Sequence, residues 1–230
     1  MAQPQYETLL AWASKDRYRD DIIAAKAEYF AVTGEVFTDD ACYESRMQGF
    51  FNWYLLDRRG GDPPMTPAQR FLLEEGAGLA LGDKPVYMGF TQSKHSLYEV
   101  RRVGVGLIKV REDLVKVRDA FTGDDLIVTE RRHLPGIERG DLLEARLLPV
   151  GDVLHFSPAF IYHPRASRPL IWKEIKKRKK AGTLDPRAFL WELERMSLHL
   201  ERFRNIPLET IYNFAMPFLG PKHKGEAAGG

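Results

Sequence analysis

Two alternating runs joined by a short Gly/Asp turn constrain this chain more than any other feature. Val115-Lys116-Val117-Arg118-Asp119-Ala120-Phe121 leads through Thr122-Gly123-Asp124-Asp125 into Leu126-Ile127-Val128-Thr129-Glu130. Apolar residues at every second position turn one face of each run inward, and glycine supplies the positive φ of the turn, so the segment reads as a β-hairpin. Around it, strands are expected near 97–103, 105–110, 113–121, 125–131, 141–148 and 152–162, punctuated by Gly104, Gly106, Gly136, Gly140 and Gly151. Short strands at this spacing suit a small β-barrel-like unit of SH3-like or OB-like size, which also removes exposed edges.

The flanks carry helical periodicity instead. Tyr6, Leu9, Leu10 and Ala13, then Ile22, Ile23, Ala27 and Phe30, recur at helical spacing before a stop at Gly34. Tyr43, Met47, Phe50, Phe51, Tyr54 and Leu55 form an aromatic stripe, read as core, with a ligand or partner groove as the functional alternative. Thr66-Pro67-Ala68-Gln69 matches a capping box. Gly82-Asp83-Lys84-Pro85 marks a boundary. Beyond Pro164, Pro169 opens one helix that Gly182 stops, and Asp185-Pro186 opens a second with Phe189, Leu190, Leu193, Met196, Leu200 and Phe203 at core spacing. The expected fold class is α+β: a helical region over 1–82, a β-rich barrel-like unit over 83–164, a basic helical region over 165–219 and a disordered tail over 220–230.

Composition limits the function classes. Of 230 residues, 44% are hydrophobic and 29% charged, enough to bury a core, yet no apolar run approaches the ~20 residues that span a bilayer. The start lacks the basic and apolar segments of a secretory signal, so a cytoplasmic address and no membrane partner are expected. One cysteine, Cys42, rules out an internal disulfide or a multi-cysteine metal site. The net charge of +2 hides an asymmetry: residues 1–82 carry 8 basic and 13 acidic side chains, residues 164–230 carry 14 and 7. Either a polyanionic partner or docking of one end on the other follows.

Several spaced blocks resemble a known region. They are Gly49-Phe50-Phe51-Asn52-Trp53-Tyr54-Leu55-Leu56-Asp57-Arg58, the Thr66-Pro67 helix start with Arg70-Phe71-Leu72, and Ser96-Leu97-Tyr98-Glu99-Val100. Val117-Arg118-Asp119 with Thr122-Gly123, Val128 with Glu130, and Gly140-Asp141-Leu142-Leu143 with Ala145-Arg146 follow in order. Over roughly residues 43–150 the chain resembles the region upstream of the zinc-binding SEC-C motif in uncharacterised bacterial proteins. The SEC-C motif itself needs clustered cysteines and is absent here, so its zinc is not carried over. The resemblance implies a bacterial, cytoplasmic setting and no particular activity.

Catalytic signatures do not complete. Gly104-Val105-Gly106 lacks the rest of a dinucleotide fingerprint, and no phosphate loop, HExxH pair or G-x-S-x-G elbow occurs. Among His95, His133, His155, His163, His199 and His223 none pairs at i+3 or i+4. His155 and His163 approach only if they flank a turn, and no metal or other cofactor is expected. Asp119, Glu130 and His133 near the hairpin offer an acid–base set, against which stands Asp119 as an acceptor of turn N–H groups. Cys42 reads as an inert core thiol.

The positive signal is electrostatic. Lys173, Lys176, Lys177 and Lys180 share a helix face, with Arg178 and Lys179 completing a five-residue basic run and Arg165 and Arg168 upstream. Arg101, Arg102, Arg131 and Arg132 add paired cations on the β unit. A non-enzymatic binding or adapter protein is therefore expected, engaging RNA or DNA through backbone phosphates with little sequence preference. Two alternatives stay open. One is a solvated or internally paired basic face. The other is a protein–protein interaction or assembly subunit that meets an acidic partner, or uses Ile171, Trp172 and the Phe50–Tyr54 helix as apolar anchors. A hydrolase or transferase at the helix–barrel junction is the least supported reading.

Overall fold

In the computed structural model, which describes residues 3–105, 111–130 and 136–218, the central hairpin forms where the alternation places it. Strand β2 (Arg111–Asp119) pairs antiparallel with β3 (Asp125–Thr129), with Val115 opposite Val128 and Val117 opposite Leu126. Val115, Val117 and Val128 point inward and are buried, while the alternate residues Lys116 and Arg118 both reach Asp125, at 2.9 and 2.8 Å. At the turn Gly123 takes φ +87°, and Asp119 Oδ1 accepts the N–H groups of Phe121 and Thr122 at 2.8 and 3.1 Å. An Asx-type acceptor and a glycine with positive φ together fix the register.

Three more strands complete a five-stranded sheet: β1 (Lys94–Val105), β4 (Leu142–Val150) and β5 (Val153–His163). β1 pairs antiparallel with both β2 and β4, and β4 with β5. A parallel contact of β3 with β5, Val128 to Leu154 and Thr129 to His155, closes the sheet into a ring ordered β1-β2-β3-β5-β4. Its interior holds Tyr98, Val100, Val115, Val117, Val128, Leu143, Ala145, Leu147 and Phe156. Val105, expected to open a separate strand, instead ends β1, and 106–110 lie outside the described residues.

Five helices precede the ring: α1 (Gln3–Ala13), α2 (Arg19–Thr33), α3 (Tyr43–Leu56), α4 (Pro67–Glu75) and α5 (Lys84–Thr91). The capping box forms, with Thr66 Oγ1 and Gln69 exchanging bonds with each other's backbone N–H. Two expectations are corrected. The segment from 83 begins with α5 rather than β structure, because Pro85 suits a first helical turn and Tyr87 and Phe90 then share one buried side. In α2 the buried face is Ala25, Tyr29, Phe30 and Thr33, the side that packs on α3 and α7 (Pro186–Arg202), while Ile23 lies off that face and is exposed. The aromatic stripe of α3 is core: Phe50, Trp53 and Tyr54 join Tyr6, Trp12, Tyr29 and Phe71 in the first apolar cluster.

After the ring come α6 (Arg168–Ala181), α7 (Pro186–Arg202) and the short α8 (Leu208–Ile211). Ile171 and Ile175 of α6 and Phe189, Leu190 and Leu193 of α7 pack on Leu97 and Leu142, on the outside of the ring. α7 also reaches the first cluster, where Trp191 meets Trp53 edge-on at 6.2 Å. α7 therefore lies between the N-terminal helices and the ring, and the site described next gathers along it. The tail expected to be disordered falls outside the described residues.

Candidate functional site

The basic helix α6 divides its cations into two groups. Arg178 bonds Glu174 at 2.9 Å and forks onto Glu192 at 2.8 and 2.7 Å, with its guanidinium 5.1 Å from the Phe189 ring. Lys179 Nζ donates to the Ala120 carbonyl at 3.1 Å, pinning the hairpin turn to the helix. Lys177 is exposed and pairs with Glu174 at 3.1 Å. Lys173, Lys176 and Lys180 remain exposed and, among the described residues, make no ion pair. Gly182 in the left-handed region (φ +67°) ends the helix by donating to the Arg178 and Lys179 carbonyls.

On the ring, Arg101 pairs with Glu99 at 2.8 Å, as Arg168 does at 2.5 Å, and Arg102 is exposed. Arg165 pairs with Asp141 and Glu138 at 2.7 and 2.9 Å. Arg131, Arg132 and His133 lie outside the described residues. Asp119 serves the turn and Lys94 (2.7 Å). Cys42 sits just ahead of α3, and burial, with Glu201 nearby, pushes its thiol up to about 12. It stays protonated at neutral pH.

A second constellation is buried and unites residues far apart in the chain. Arg46, on the inward side of α3, places Nη1 2.9 Å from Glu194 Oε2 on α7 and Nη2 2.8 Å from the Thr33 carbonyl. The Tyr29 hydroxyl donates to the same Glu194 oxygen at 2.5 Å. Across the chamber, β4 presents Glu144, with His95 Nε2 of β1 3.0 Å from Oε1 and His163 Nε2 of β5 3.8 Å from Oε2. Neither imidazole approach has the direction of a good hydrogen bond. His163 Nδ1 meets the Tyr212 hydroxyl at 3.0 Å. Two residues along β4, Arg146 is held by Asp57 and by Ser93 Oγ (3.0 Å).

Between these groups lies a cavity of about 30 Å³, lined by Tyr29, Arg46, Trp53, His95, Glu144 and Glu194 among others. That is room for an ion or one or two waters, not for an organic substrate. Asn52 and Ser157 also line a neighbouring apolar pocket of about 170 Å³, walled by Tyr6, Leu56, Phe90, Leu148 and Phe156.

The two carboxyls are driven apart. Burial, followed by the charge of Glu144, pushes Glu194 up to about 7 against the pull of Arg46. Burial also disfavours ionised Glu144, but the imidazoles of His163 and His95 outweigh it and hold that group down to about 2. Divergent acidities in a paired set mark a functional candidate.

Sequence reasoning missed this site, though one trace is visible. Leu142-Leu143-Glu144-Ala145-Arg146-Leu147-Leu148 sets two charges inside an apolar strand run. The pairing of His155 with His163 does not form, because the two occupy opposite ends of β5.

A family model matches residues 20–189. The chain belongs to a family of unknown function (DUF7986). The matched span takes in Arg46, His95, Glu144 and the α6 lysines, and ends ahead of Glu194. Comparison with curated proteins and with solved structures returns no match. Among the described residues, no helix is long and apolar enough to cross a membrane.

Proposed function

We propose that this protein is a non-enzymatic, cytoplasmic nucleic-acid-binding or adapter protein that grips RNA or DNA phosphates with the outward face of α6. The carrying observation is that Lys173, Lys176 and Lys180 stand exposed on one side of the helix without ion pairs among the described residues. They span about 10 Å along the axis at 1.5 Å per residue. Arg178 and Lys179 support the reading from beneath, because they tie α6 to α7 and to the hairpin turn. The free lysines thus project from a rigid platform, which lowers the ordering cost of binding. Arg102, exposed on β1, is the auxiliary contact. Ring closure by five strands favours a barrel of OB-like size, a platform used for oligonucleotides. Kinship with the region that precedes SEC-C motifs is part of this proposal and adds no ligand to it.

The test is binding of a fluorescent single-stranded RNA and a DNA duplex by the full chain from low to physiological salt, beside a Lys173→Glu/Lys176→Glu/Lys180→Glu variant. Binding that weakens with salt and is lost in the variant supports the reading. Absence of binding at low salt, or equal binding by the variant, overturns it and favours an acidic or apolar protein partner.

A further inference from the structure

We propose that His95, Glu144 and Glu194 are the ligands of a divalent transition-metal site of the zinc class, seated in the small chamber between the ring and α7. This stands independently of nucleic-acid binding. One ligand atom from each residue lies within 4.8 Å of the other two, and the three arrive on separate elements, β1, β4 and α7. Zinc bonds to nitrogen and oxygen of about 2.0–2.2 Å place tetrahedral ligand atoms roughly 3.3 Å apart. The 3.0 Å between His95 Nε2 and Glu144 Oε1 already has that spacing.

A second observation comes from outside the triad. The His163 side chain is fully buried, and its Nε2 has no hydrogen-bond partner while facing Glu144 Oε2 at 3.8 Å. In the tautomer whose Nδ1–H donates to Tyr212, Nε2 turns a lone pair toward the Glu144 carboxylate, and a cation seated beside them relieves that repulsion. A ring held through Nδ1 so that Nε2 is presented is also how metal-binding histidines are oriented.

Charge points the same way. With neutral imidazoles the chamber sets two carboxylates against the Arg46 guanidinium, because the charge of Arg146, which also lines it, is taken up by Asp57, and an uncompensated buried charge is costly. The cavity of about 30 Å³ takes an ion but no substrate, which makes the site structural or regulatory. An imidazole in a small donor set favours zinc-like ions over calcium or magnesium, which seek more oxygen atoms.

The test uses the untagged full chain, stripped with chelator and titrated with Co²⁺ and then Zn²⁺. The expected result is one equivalent of Co²⁺ with visible d–d absorption, displaced by Zn²⁺, and a melting temperature that rises with metal. Because loss of an orienting partner alone costs 10–100-fold, His95→Ala is expected to weaken binding by at least about 100-fold. His199→Ala, outside the cluster, leaves it unchanged. No d–d band at one equivalent, or an undiminished band in folded His95→Ala, overturns the proposal. Should His95→Ala not fold, X-ray absorption of the wild-type Co²⁺ complex decides. A shell with imidazole nitrogen and carboxylate oxygen supports the site, and an oxygen-only shell overturns it.

Discussion

Arg46 and Glu194 pair at 2.9 Å with each side chain only 3% exposed, and this contact joins α3 to α7 through the interior. Both ions have left water, so the pair stabilises mainly by each cancelling the other's desolvation. Arg46→Met strands the Glu194 carboxylate and is expected to cost about 3–5 kcal/mol. Arg46→Met combined with Glu194→Leu removes both charges and is expected to recover a large part of that loss. Urea midpoints of the two variants and the wild type check this, and a double variant no better than the single would contradict it.

The turn acceptor Asp119 carries a pH signature. Burial pushes its carboxyl up, but Lys94 and the N–H groups of Thr122 and Phe121 outweigh burial and hold it below the usual carboxylate range. A depressed folded-state acidity stabilises fully above the unfolded value of about 3.9 and is lost as pH falls through the folded value. Asp119→Asn is expected to cost about 1–3 kcal/mol at pH 7. The gap to the wild type should narrow below about pH 4, as denaturation at a series of acid pH values would record.

Helix α5 meets the end of β4 at Gly89. A β-carbon added there would stand 1.7 Å from the Pro149 carbonyl oxygen, a backbone atom that cannot swing aside. Gly89→Ala is therefore expected to force α5 off the strand, at the upper end of the roughly 1–3 kcal/mol typical of overpacking or beyond it. Thermal melts compare it with Gly82→Ala, where a β-carbon meets nothing within 4 Å.

Salt dependence resolves the lysines one by one. Each of Lys173→Gln, Lys176→Gln and Lys180→Gln is expected to reduce the slope of log affinity against log salt on duplex DNA by about 0.9. Lys177→Gln, whose ammonium already faces Glu174, is expected to reduce it less. Equal slopes for all four would show that these side chains do not meet phosphates.

Local signals carried most of the architecture. The hairpin, the capping box at Thr66 and the stops at Gly34 and Gly182 each depend on residues within a few positions, and each forms as read. Helix α5 was hidden because its few apolar residues suit either period until tertiary packing chooses. The buried cluster was hidden for another reason. His95, Glu144 and Glu194 meet only through strand register and helix docking, and nothing in their sequence neighbourhoods encodes that meeting. The lysines of α6 were legible as a face, but the capture of Arg178 by Glu192 and of Lys179 by Ala120 required the neighbouring elements.

The position of α7 also bears on how the protein is made. Arg46 is synthesised 148 residues before the carboxylate that neutralises it, and Tyr29 precedes that same carboxylate by 165. A ribosome therefore releases the whole N-terminal helical layer, and then the ring, before the segment that completes either surface emerges. Until then a guanidinium destined for the interior has no counter-charge, and Trp53 lacks the indole of Trp191 that later covers it. Final maturation is a late event in synthesis, committed only when α7 threads between the two parts already made.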